Sequence, residues 1–115
     1  MYQYSYSEIL ADSPTDARAE ERRALDRAIT LLHLAEDSTP KSKEEGEAMA
    51  YVAQLWGLFI KSLASPDNDL PDPLRANLMS IGLGVMAEVG RIETGESRDF
   101  TGLAEICGIV RDGLA

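Results

Sequence analysis

The chain has 115 residues, 44% of them apolar, and 20 acidic against 11 basic residues give it a formal net charge of −9. That length fits one domain, which buries roughly two thirds of the surface its unfolded chain exposes and needs neither metal nor disulfide to fold. The acidic balance argues against a surface that tracks phosphates, because nucleic-acid affinity depends on clustered Lys and Arg, and here Arg18, Arg22, Arg23 and Arg27 are interleaved with acids.

The opening, MYQYSYSEILAD, alternates Tyr2, Tyr4 and Tyr6 with Gln3 and Ser5. A period of two suits an extended arm with its rings on one side, or one that turns into a short helical turn around Glu8-Ile9-Leu10. Ser13 is a good N-cap, Pro14 suits the first helical position, and Asp16 completes a capping-box-like pattern. The first helix is predicted to run to about Asp37 on a stripe of Leu25, Ala28, Ile29, Leu32 and Ala35. Its charged first two turns are expected to stand in water.

The second helix is predicted to start at Ser42, with Glu45 closing a reciprocal capping box. Met49, Val52, Leu55, Trp56, Phe59, Ile60 and Leu63 follow at spacings of three and four. This is the strongest amphipathic signal in the chain, wide enough for two neighbours or for one neighbour and a ligand. The breakers from Ser65 to Pro71 stop it near Ala64. Asp72 is read as the cap of a third helix, with Pro73 in its first turn. Its face is Leu74, Leu78, Ile81, Val85, Val89 and Ile92, and Gly95 ends it. Asp99 or Thr101 opens a fourth, shorter helix with a stripe of Leu103, Ile106, Cys107, Val110 and Leu114. Short loops favour antiparallel neighbours, so the expected fold is all-α: one domain over residues 1–115, a compact bundle of four main helices with a short N-terminal arm.

Few residues suit catalysis. His33 and Cys107 are the only histidine and the only cysteine. A zinc site wants three or four such ligands. A Cys-His nucleophilic pair needs the fold to bring the two together, but Cys107 lies on an apolar stripe, where it reads as a small core hydrophobe. His33 reads as a partly exposed residue at the edge of its stripe. Asp67, Asn68, Asp69 and Asp72 resemble a calcium loop, yet the sixth position from Asp67 is Asp72 rather than Gly and the twelfth is Leu78 rather than Glu. No cofactor and no enzymatic activity are expected. No intramolecular disulfide is possible, the first thirty residues show no secretory signal, and Leu78 to Ala87 is too short to cross a bilayer, so the expected location is cytoplasmic.

Each glycine inside a helix costs around 1 kcal/mol relative to Ala. Gly57, Gly82, Gly84 and Gly90 therefore ask for a reason, either close approach of the second and third helices or a shallow groove for a foreign backbone. Trp56 reads first as core. Should the fourth helix be too short to cover the second, the surface of Leu55, Trp56, Phe59 and Ile60 stays open as a partner site, with Tyr2, Tyr4 and Tyr6 as a movable cover.

Three blocks together resemble the FlaF family of alphaproteobacterial flagellar proteins: MYQYSYSEILADSP with ARAEERRALDRAITLL, Leu55-Trp56 with IKSLASPDNDLPDPLRANLMSIGL, and RIETGESRDFTGLAEICGIVRDGL. The likeness spans essentially the whole chain. It implies a role in filament assembly as a flagellin-specific export chaperone and regulator of flagellin expression, beside the translational regulator FlbT. Flagellin is then the expected partner. The competing expectation is a post-transcriptional regulator that acts through a protein such as FlbT without handling flagellin. The −9 charge speaks against direct contact with mRNA in either case.

Overall fold

The computed structural model describes residues 14–113, with side chains from Ala17 onward. Among the described residues four helices follow one another: α1 (Pro14–Glu36), α2 (Lys43–Ala64), α3 (Asp72–Glu93) and α4 (Phe100–Gly113). The described residues contain no strand. Ser13, the expected cap of α1, and the tyrosine arm lie outside the described residues.

Along α1, Leu25, Ala28, Leu32 and Ala35 are fully buried and Ile29 half-buried, as their spacing requires. Ala24 and Leu31 widen the stripe. The start of the helix is drier than its charges suggest. Residues 19–22 are half-buried, and only Arg18 and Arg23 are open to water in that stretch.

The start of α2 is set by Ser42, whose Oγ accepts the Glu45 N–H at 3.1 Å. Glu45 reaches back as the capping box demands, but to the amide of Lys41, one residue before the cap (3.3 Å). For α3 the cap expectation is corrected. Pro71 occupies the cap position with no side-chain bond, and Asp72 is the first helical residue, its carboxylate turned to Arg75 at 3.0 Å. With Pro73 following, the first turn of α3 has one orphan donor fewer to satisfy.

A Schellman closure ends α3. Gly95, at φ +85°, donates to Ile92, and Glu96 donates to Arg91 at 2.8 Å. The left-handed position is why a glycine stands there. Asp99 opens α4 by accepting the Gly102 N–H at 2.9 Å.

The hydrophobic core runs between all four helices. Trp56, Phe100, Leu25, Leu32, Ile92 and Leu103 are its largest fully buried side chains. Each such side chain contributes roughly 1.5–3 kcal/mol on burial, before the entropy of ordering it is subtracted. Cys107 is buried among them. Packing is uneven: α1 lies closely against α4 and α2, and α2 against α3, whereas α3 and α4 meet only lightly. The bundle is therefore tight on three sides and parted on the fourth.

Its upper end, where α1 and α3 finish and α2 and α4 begin, is tied by polar contacts. Arg98 donates to the buried carboxylate of Glu45 at 2.7 Å and to the Ser38 carbonyl at 3.0 Å, and its guanidinium lies 5.1 Å from the centre of the Phe100 ring. Thr101 bonds Glu36 at 2.7 Å. Lys41 takes the left-handed conformation, φ +64°, and its ammonium meets the Glu93 carbonyl at 2.8 Å, at the negative end of the α3 dipole.

Candidate functional site: the groove between α3 and α4

A helix turns 100° per residue, so side chains three and four apart share a face. On α3 the positions Gly82, Val85, Val89 and Ile92 share one face and are buried. The next face round carries Ile81, Gly84, Glu88 and Arg91, and these form one wall of a groove of about 350 Å³. The opposite wall is α4, through Gly102, Leu103, Ile106, Ile109 and Val110. The buried residues of α4 are Phe100, Leu103, Ala104 and Cys107. With Ile106, Ile109 and Val110 beside them, the apolar arc covers more than half of the helix. The core and α1 use part of that arc. The rest faces the groove, and Ile109 is 70% exposed.

One end of the groove is polar. Glu88 accepts from Ser97 and from Arg91, and these two bonds, the Ser97 one first, hold its carboxyl below the usual carboxylate range. The lining cation Arg91 is matched within the chain by Glu88. Asp99 and Glu105 pair with no cation among the described residues.

The surface expected to receive a partner is placed differently. Leu55 and Trp56 are buried, the indole at 1% exposure, so they cannot meet another molecule in this arrangement. Phe59 and Ile60 keep partial access. Phe59 stands edge-on to Trp56 with ring centroids 5.3 Å apart. Ile60 fills the space left by Gly82, where a Cβ would come within 2.9 Å of Ile60 Cγ1 and 3.4 Å of the Trp56 ring. The missing side chain at Gly82 thus lets α3 settle onto α2 and cover Trp56. Tyr2, Tyr4 and Tyr6 lie outside the described residues.

Of the other helical glycines, Gly57, Gly84 and Gly90 would each meet nothing within 4 Å if given a Cβ. Of these four, close approach of α2 and α3 accounts for Gly82, and Gly84 lines the groove. Gly84 was open in the sequence to the groove explanation, whereas Ile109 was not connected with a site there. The signal was present in α4, where Ile109 widens the apolar arc beyond what one neighbour covers.

The residues with chemical potential are apart. His33 is exposed beside Glu36, whereas Cys107 is sealed in the core. Burial pushes the Cys107 thiol up, and the Trp56 indole N–H opposes this in part, though that N–H makes no directed hydrogen bond of its own. Among the described residues no group of three or more His, Cys, Asp or Glu could hold a metal ion, and no helix is long and apolar enough to cross a membrane. What the groove offers is apolar contact between two helical walls.

Against known families, residues 2–114 match the model described as flagellar protein FlaF, almost the whole chain. Neither a curated protein nor a solved structure matches it.

Proposed function

The chain belongs to the FlaF family of flagellar proteins, and we propose that it works without catalysis, in the cytoplasm, by binding flagellin ahead of export and thereby influencing how much flagellin is made. One observation carries this reading. Among the described residues, the groove between α3 and α4 leaves Ile106, Ile109 and Val110 without a helix that covers them fully. An apolar groove with helical walls is a seat for the apolar face of a partner helix. Flagellin, which must be kept from polymerising before it leaves the cell, supplies such a segment.

Calorimetry with the cognate monomeric flagellin tests the proposal. Saturable binding is expected. Ile109→Asp places a charge on the groove wall at an exposed position, and should weaken binding at least about tenfold while leaving the helical content unchanged. Wild-type protein that shows no heat and no co-elution with flagellin sinks the reading. In that event capture of FlbT, with nuclease present, would favour regulation through that partner.

A further inference from the structure

We propose that the groove is built for a single amphipathic helix of about four turns, which seats two large apolar side chains one turn apart beside Gly84 and carries a basic rather than an acidic flank. This deepens the flagellin reading and rests on it, since it names the kind of flagellin segment that binds.

The length follows from the shorter wall. The 14 residues of α4 span about 21 Å, which a helix of equal length laid alongside would match. The capacity follows from the volume. A dry cavity of ~150 Å³ holds one benzene-sized group, so a groove of about 350 Å³ holds roughly two. Two knobs on one face of a helix stand three or four residues apart. Gly84 marks the place for them. It sits on the α3 wall between Ile81 and Glu88, and the space that its side chain would occupy is empty. A glycine in mid-helix weakens that helix, and here no neighbour among the described residues requires it.

The sign of the flank follows from charge. Of the charged residues that line the groove, Arg91 is neutralised by Glu88 while Asp99 pairs with no cation among the described residues, and the whole chain carries −9. A segment with lysine or arginine beside its apolar stripe is therefore attracted, and an acidic one repelled. The same charge disfavours a second copy of this chain as occupant, because its own acidic surface would meet an acidic rim.

Gly84 gives the test, because a side chain there enters the groove without touching the core. Gly84→Phe, Gly84→Ala and wild type are titrated with monomeric flagellin, with a 14-residue leucine–lysine amphipathic helix and with its leucine–glutamate counterpart. Gly84→Phe should retain wild-type circular dichroism and lose at least about thirtyfold in affinity for flagellin and for the lysine peptide, the size of an interface hot spot. Gly84→Ala should keep most of the affinity, and the glutamate peptide should not bind. Ile109→Asp serves as the second obstruction if the phenylalanine disturbs the fold. Undiminished flagellin binding by the obstructed variants overturns the groove and leaves flagellin binding intact. Wild type that ignores flagellin yet binds the lysine peptide, with loss on Gly84→Phe, overturns the flagellin reading and keeps the groove. Equal affinity for both peptides overturns the charge argument, and a dimer of the chain alone that Gly84→Phe dissolves overturns the choice of occupant.

Discussion

Glu21 lies where α1 passes from open to covered, and burial pushes its carboxyl above the usual range, with Arg18 pulling it part of the way back. A folded pKa above the unfolded one means that the group favours folding most when neutral. Its contribution is whole below the unfolded value near 4.5 and declines as pH rises through the folded value. Glu21→Gln should therefore raise the melting temperature at pH 7, and the gain should fade as pH is lowered to 4. An equal gain at both pH values would show that desolvation is not the cause. Glu88 works in the opposite direction, being held low by Ser97 and Arg91, and it favours folding less as pH falls. Single residues were legible in the sequence where spacing alone decided their place. Cys107 fell on a stripe and is core, and Gly82 fell on a stripe and marks the tight crossing of α2 and α3. Glu45 was legible as a capping residue but not as an ion-pair partner, because Arg98 is 53 residues away and only the fold joins them.

That pair belongs to the scale of elements, since it fastens the short link before α4 to the start of α2. Glu45 is 8% exposed and Arg98 37% at the side chain. Removing one member of a fully buried pair costs about 3–5 kcal/mol, and partial exposure of Arg98 lowers this. Arg98→Ala should destabilise by about 2 kcal/mol in urea titrations, because Glu45 is left with the Lys41 amide and the Ser38 carbonyl loses a donor. Replacing Glu45 as well should cost less than the sum of the single losses, as shared contacts dictate. A stability change within error for Arg98→Ala would mean that the apolar contacts alone hold this end. The helices themselves were readable almost to the residue. Ser42, Gly95 and Asp99 act where local rules put them, because caps and left-handed turns depend on a few neighbouring residues. Asp72 departed from its expected role because Pro71 took the cap position.

At the scale of the molecule, the sequence indicated that some helix owns more apolar surface than its neighbours hide, and the expectation fell on α2. The structure buries Leu55 and Trp56 of α2, leaves Phe59 and Ile60 half-buried, and leaves Ile109 of α4 70% exposed beside the groove. A stripe's width, read from sequence, measures how much apolar surface a helix has but not which neighbour covers it. That depends on which pairs of helices close, and here Gly82 draws α3 onto α2 while α4 settles against α1. The 22 residues of α3 reach about 33 Å and the 14 of α4 about 21 Å, so the two could not match along their lengths in any case.

The single tryptophan stands in the sealed interior, pressed between Phe59 and the Gly82 crossing, and contributes nothing to the groove lining. Its ultraviolet emission should accordingly be blue-shifted in the native protein, move red only on denaturation, and stay silent while a guest is titrated in. The molecule thus carries an internal gauge of its own integrity, optically separate from the event of capture. One fluorescence trace, followed with a labelled guest in the same cuvette, distinguishes a variant that has lost its grip from one that has lost its shape.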